Sequence, residues 1–432
     1  MYLKPTGMES RGQPSVSTAY KWYVVAILML CQLLASIDAR LPYILVEALK
    51  EDLALSDMQI GLITGPAFSL TYAICAIPIA RLSDRRSRIG IIGVAITVWS
   101  GFTAFAGFAG SFASFALTRV GVAIGESALT PAAHSLIAHY IPRRSHAKGI
   151  AVYSFGVAAG ALVAFAAGGY IGDRFGWRMA FVVIGGLGLF LSILLIATVR
   201  EPARVLTARA RTSVRRGVLG LLRCPVIRHV TVGGALVGFS SGAINAWAPA
   251  YIMRTFNLSA TDAGLSYGII AGLLAMIGTL AGGFVGSWLS KRHSGYALHM
   301  LSGVLGLAMA AQVISLLVSS YFLFLSLLAI AVLLSCFYIG PTFATVHARV
   351  GPETYSFASA VTLFCVNGLG ISMGAFVVGL LSDVLQSRGV VESLKWALVM
   401  VSAVKAWSAL HYWRAGEEMF RLGKGSQQDS SR

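Results

Sequence analysis

Stretches of about 20 mostly apolar residues, each long enough to cross a ~30 Å hydrocarbon core as a helix, recur along the whole chain. Twelve can be separated, at 22–47, 56–81, 89–110, 112–140, 147–171, 178–199, 228–253, 263–290, 297–319, 321–348, 355–382 and 392–413. In lipid every backbone N–H and C=O needs an internal partner, which leaves helices or a closed barrel. The short alternating strands and turn signals of a barrel are missing. With 56% hydrophobic and 12% charged residues, the chain reads as an all-α polytopic membrane protein with 12 transmembrane helices.

A formal net charge of +17 raises the question of nucleic acid, and the placement of the charge answers it. Lys4, Arg11 and Lys21 precede the first stretch, Arg81, Arg85, Arg86 and Arg88 follow the second, and Arg143, Arg144 and Lys148 follow the fourth. The segment after the sixth carries Arg200, Arg204, Arg209, Arg211, Arg215, Arg216 and Arg223, whereas the opposite turns near Ser111 and Ser320 carry no Lys or Arg. This alternation follows membrane topology, so no nucleic-acid partner is expected and both termini are predicted cytoplasmic. The first 21 residues are polar and lead into a span too long for a signal-peptide core, so an uncleaved N-terminus is expected. Cys31, Cys75, Cys224, Cys336 and Cys365 show no paired or metal-type spacing. No G-x-x-x-x-G-K-[ST] occurs, and no cofactor is expected.

The long connection divides the spans six and six, giving expected units of 1–21 (cytoplasmic tail), 22–199 (first bundle), 200–227 (basic linker), 228–415 (second bundle) and 416–432 (tail). The linker either lies on anionic lipid as an amphipathic helix or serves only to fix topology. The halves repeat. L-A-L-S-D-M-Q-I-G-L-I-T-G (Leu53 to Gly65) aligns without a gap on F-N-L-S-A-T-D-A-G-L-S-Y-G (Phe256 to Gly268), and I-G-E (Ile124 to Glu126) falls against I-G-P (Ile339 to Pro341).

A-R-L-S-D-R-R-S-R (Ala80 to Arg88) resembles the loop 2/3 signature of the major facilitator superfamily. G-G-Y-I-G-D-R-F-G-W-R (Gly168 to Arg178) and V-G-L-L-S-D (Val378 to Asp383) are degraded relatives of it. Within that superfamily the chain is most similar to the Spinster-like transporters, through I-D-A-R-L, T-R-V-G-V-A-I-G-E-S-A-L-T-P-A-A-H and W-A-P-A-Y-I-M-R-T-F-N-L-S. The resemblance implies two six-helix bundles rocking about a central site. It also implies a multi-pass protein of the cell inner membrane, and Asp84 with Arg85 as a latch on the cytoplasmic side.

Ionisable side chains at mid-membrane are functional candidates, because each costs roughly 2.5 to 3.5 kcal/mol to insert. Arg119 and Glu126 are seven residues apart, on one helix face about 10 Å apart along the axis, too far for a direct pair but within reach of one head group. Burial favours the neutral acid and a nearby arginine the carboxylate, so a proton and a substrate can compete there. The family resemblance places proton coupling on Asp38 and Glu126. The family's helix-1 D-R becomes Asp38-Ala39, leaving Arg40 to substitute or the cation absent. Substrate contacts are expected from Arg40, Arg119, Glu126, Asn245 and Asn367, with interhelical ties as the alternative for each. His134 reads as an interfacial packing residue and Lys405 as a snorkelling one.

A cavity charged on one wall and apolar on the other suits an amphiphile. The expected function is export of a lysophospholipid or sphingoid-type molecule driven by a proton gradient, by a monomer working amid membrane lipid. A proton-coupled organic-anion symporter and a gradient-independent lipid scramblase are the competing readings.

Overall fold

The computed structural model describes residues 17–83, 87–202, 220–351 and 354–430. Twelve long helices cover them: α1 (Thr18–Ile44), α2 (57–83), α3 (Arg88–Ala106), α4 (Phe112–Tyr140), α5 (His146–Phe175) and α6 (Trp177–Thr198) in the first half, and α7 (Pro225–Phe256), α8 (Ala260–Ser290), α9 (Ser294–Leu317), α10 (Tyr321–Ala348), α11 (355–387) and α12 (Ser393–Ser430) in the second. Among the described residues there is no strand. Ten of the helices are long and apolar enough by themselves to cross a membrane, α7 and α12 being the exceptions. In α7 the Gly, Ser and Asn positions dilute hydropathy, and most of that helix is buried against its neighbours. Large apolar side chains such as Phe105, Phe190, Ile193 and Phe284 stand exposed on the perimeter, as lipid-facing residues do.

Proline sets several of the breaks. Pro131 has no N–H to offer the carbonyl of Ser127, and its ring crowds that carbonyl. Accordingly the first segment of α4 ends at Glu126 and the helix resumes at Leu129. In α10, Pro341 does the same to Phe337, and a tight turn spans Cys336–Tyr338. Widened turns occur at Pro66–Leu70 in α2, Ile270–Leu274 in α8 and Phe364–Ile371 in α11. Turns of this kind concentrate where helices move or bind.

Within the first half α1 packs on α5, where Gly156 and Gly160 admit the backbone of Met29 and Leu33. Between the halves, α2 lies against α11 and α5 against α8. Over the expected C-terminal tail α12 runs on as helix to Ser430, and Phe420 stacks on His293 at the start of α9. Phe420 and the buried Met419 find partners beyond 413, so the helix continues past that span.

Candidate functional site

At mid-depth in the first half, Arg119 on α4 pairs with Asp38 on α1 at 3.1 Å, both 1% exposed. Pro42 provides a second acceptor. Lacking an N–H, it leaves the Asp38 carbonyl without its helical partner, and Arg119 Nη2 donates to that oxygen at 3.4 Å. Thr103 on α3 donates its hydroxyl to the other Asp38 carboxylate oxygen, and the Arg119 guanidinium lies 4.9 Å from the Phe68 ring.

Glu126 is buried, and no protein group among the described residues meets its Oε1. Arg119 is turned to Asp38, a neighbour on another helix that spacing along α4 alone does not reveal. A second cation, Arg40, also acts on Glu126, after Arg119. Its guanidinium turns back one turn to Ser36, donating to the carbonyl at 3.1 Å and to Oγ at 2.7 Å, and Glu126, Tyr43 and Tyr267 lie within electrostatic reach. Arg40 therefore reaches the charged region from a continuous α1 despite its one-residue offset.

The facing half offers polar but uncharged groups. Asn245 on α7 donates to the Ser241 carbonyl at 2.9 Å and accepts from Tyr267 OH of α8 at 3.3 Å. Asn367, within the widened turn of α11, is exposed and has no side-chain partner among the described residues. Thr342 and Tyr412 share a 2.6 Å hydrogen bond. Lys405 does not snorkel. It is 1% exposed and donates to Gln312 of α9, whose amide also donates to Ser402 at 2.5 Å and Ser240 at 3.4 Å. His134 is exposed with its ring 5.3 Å from Tyr153, and no hydrogen bond holds it among the described residues.

At the end away from the termini the two halves are joined. Asp57, 1% exposed at the start of α2, accepts from Lys50 at 2.6 Å, from Arg254 of α7 at 2.9 Å through both terminal nitrogens, and from Ser382 of α11 at 2.7 Å. Arg254 also bonds Glu47 at 2.9 Å. Asp383 accepts from the backbone N–H groups of Asp57 and Met58 at 3.0 and 2.9 Å, closing the N-terminus of α2. In mirror fashion Asp173 at the end of α5 accepts from the Thr261 N–H at 2.7 Å and its hydroxyl at 2.6 Å, at the N-terminus of α8. Each carboxylate thus meets the positive end of a helix from the opposite half. Both belong to the degraded signatures at Gly168 to Arg178 and Val378 to Asp383. Their role escaped the sequence, because a cap supplied across a bundle interface leaves no local spacing. Asp84 and Arg85 lie outside the described residues.

The repeat explains how the helices come so close. Ser56 and Ser259 cap α2 and α8. The residues just before each Leu-Ser, Ala54 and Asn257, both take left-handed backbone, at φ 50° and 52°. A methyl at Gly61 would stand 2.7 Å from the Ala375 carbonyl oxygen, and one at Gly264 2.1 Å from that of Phe165. The paired openers are one device used twice.

Two helical halves, closed at one end around buried ionisable groups, define a polytopic membrane carrier. The Major Facilitator Superfamily profile matches residues 28–375. The chain is 33% identical to an MFS-type efflux pump of Mycolicibacterium smegmatis over 91% of its own length and 92% of that protein. It is 27% identical to protein spinster homolog 1 of Xenopus tropicalis, over 93% of this chain and 81% of that one. Its fold superposes with TM-score 0.83, at 26% identity, on a bacterial homologue of the human lysosomal transporter Spinster crystallised in an inward-facing, unoccupied conformation, covering 94% of this chain and 99% of that one. The chain belongs to the Major Facilitator Superfamily and is one of its Spinster-like transporters.

Proposed function

We propose that this transporter exports a lysophospholipid or sphingoid-type amphiphile in exchange for protons, as a monomer in the cell inner membrane with both termini cytoplasmic. In that orientation the joined end is the outer face, and the structure is inward-facing like its solved relative. Bundles of 22–199 and 228–415 would rock about the central site. Asp84 and Arg85 would close the cytoplasmic side.

The observation that carries this reading is the one-sided charge. Asp38, Arg40, Arg119 and Glu126 lie on the first half, against Asn245, Asn367 and Tyr267 on the second, where the buried Lys405 is held by Gln312. A zwitterionic head group fits this arrangement with its ammonium on Glu126 and its phosphate toward Arg40. The ammonium takes the place of a proton on Glu126, so substrate and proton occupy the site in turn, as antiport requires. Asp38 and Arg119 neutralise one another and orient the wall. Export accords with the efflux activity named for the mycobacterial relative.

Arg40 has no carboxylate partner among the described residues, and this supports proton-coupled organic-anion symport as the second reading. There the proton on Glu126 and the anion on Arg40 would bind together. The sign of proton movement separates the two. Proteoliposomes given lysophosphatidylethanolamine, with an internal pH dye, should show protons moving opposite to lipid. Protons moving with an organic anion, and none with lysolipid, would establish symport. Lipid movement indifferent to any gradient would establish a scramblase.

A further inference from the structure

Glu126 stands at the head of a polar row that runs down the first half toward the end of the molecule holding the termini. On α4, Glu126, Thr130 and His134 recur every four residues, and Ser127 and Ala128 keep helical backbone angles through the break, so the three share one face over about 12 Å of rise. Exposure climbs along it: Glu126 is buried, Thr130 half-buried and His134 exposed. Further on, the Tyr140 ring meets Tyr20 at the start of α1, so the row leads to the face of the termini.

Neighbouring helices line the row with hydroxyls and an amide. Tyr72 of α2 lies beside Thr130 and within electrostatic reach of Glu126. Thr130 Oγ1 and the Tyr153 hydroxyl of α5 are 3.3 Å apart, and Tyr153 donates its own proton to Gln32 Oε1 of α1 at 2.5 Å. The Tyr153 oxygen therefore accepts from Thr130. The His134 ring meets the same Tyr153 ring at a steep angle of 75°. Among the described residues no hydrogen bond or ion pair takes either of its nitrogens, so packing alone holds the imidazole and both nitrogens remain free to take or give a proton.

We propose that His134 relays the proton between Glu126 and the aqueous phase on the side of the termini. The inference rests on Glu126 as the proton carrier, as in the antiport reading. A rise of about 12 Å along α4 is too long for direct transfer, so the proton passes over the Tyr72 and Thr130 hydroxyls and over water admitted from the exposed end. At each step one O–H or N–H bond breaks as the next forms. Glu126 is left as carboxylate, His134 becomes imidazolium, and release to solvent restores the neutral ring. Imidazole suits the task because its ordinary titration range lies near neutrality, between that of a carboxyl group and that of a hydroxyl.

The test is the rate of fluorescent lysophosphatidylethanolamine export from proteoliposomes of the full chain in weak buffer, with an imposed pH gradient, divided by the rate without one. His134→Gln should lower this ratio by about tenfold, because water alone must then carry the proton. His134→Ala should lower it likewise, and imidazole added on the side of the termini should restore it, since the vacated space admits the free base. A variant that loses both rates alike keeps the ratio, and an unchanged ratio would overturn the relay. A lowered ratio that imidazole leaves low is the mark of a packing role and would overturn it too. Acceleration in wild type with the ratio unchanged in His134→Gln removes the relay and leaves antiport standing, whereas no acceleration in wild type removes both.

Discussion

Asp38 and Arg119 are a buried ion pair, and such a pair is more costly to break from one side than to remove whole. Arg119→Gln leaves the Asp38 carboxylate buried with only Thr103 to meet it, and is expected to destabilise the protein by about 3 to 5 kcal/mol. The double change Asp38→Asn with Arg119→Gln should recover most of that in a melting experiment. A double variant no more stable than the single would contradict the pairing. Ala54 offers the opposite case. It holds left-handed backbone that disfavours a Cβ, so Ala54→Gly should raise the apparent melting temperature, by relief of about 1 kcal/mol. An unchanged or lowered value would count against it. The sequence showed which ionisable residues enter the membrane, because charges are rare there. It did not reveal the partner of Arg119, since that depends on the approach of α1 and on the carbonyl that Pro42 frees. It also misread Lys405, because exposure on α12 is decided by how α7 and α9 pack.

The helices that open each half work as paired closures. Ser56 and Ser259 cap α2 and α8, Gly61 and Gly264 bring them onto α11 and α5, and Asp383 and Asp173 meet their N-termini from the other half. Adding a methyl at Gly264 forces a shift against the Phe165 backbone, and overpacking of this kind costs about 1 to 3 kcal/mol in the closed arrangement alone. Gly264→Ala should therefore shift the population away from closure at this end by about tenfold, lengthening the distance between spin labels at Glu51 and Thr255. Asp383→Asn should act in the same direction more weakly, because an amide oxygen still accepts but without the charge. A distance distribution identical to wild type in both variants would show that these contacts do not hold the closure. The gap-free match of Leu53 to Gly65 with Phe256 to Gly268 made the repeat legible, and its cap serines and close-approach glycines are what the structure uses. The aspartates were visible as fragments of a signature, but their targets belong to helices far away in sequence.

At the scale of the whole molecule, the recurrence of apolar spans and the six-and-six division were enough for the fold class, since lipid admits few alternatives. The breaks in α4 and α10 follow from Pro131 and Pro341, and they put Glu126 at the end of a helical segment rather than within one. In the proposed antiport, Glu126 is the group that exchanges a proton for the substrate head group. The measurement that meets it most directly is export of fluorescent lysophosphatidylethanolamine from proteoliposomes, with and without an imposed pH gradient, for wild type and Glu126→Gln. Acceleration by the gradient in wild type, and its loss in a variant that still folds and still exchanges lysolipid slowly without a gradient, is the predicted result. Gradient-accelerated export at the wild-type rate in Glu126→Gln would contradict it.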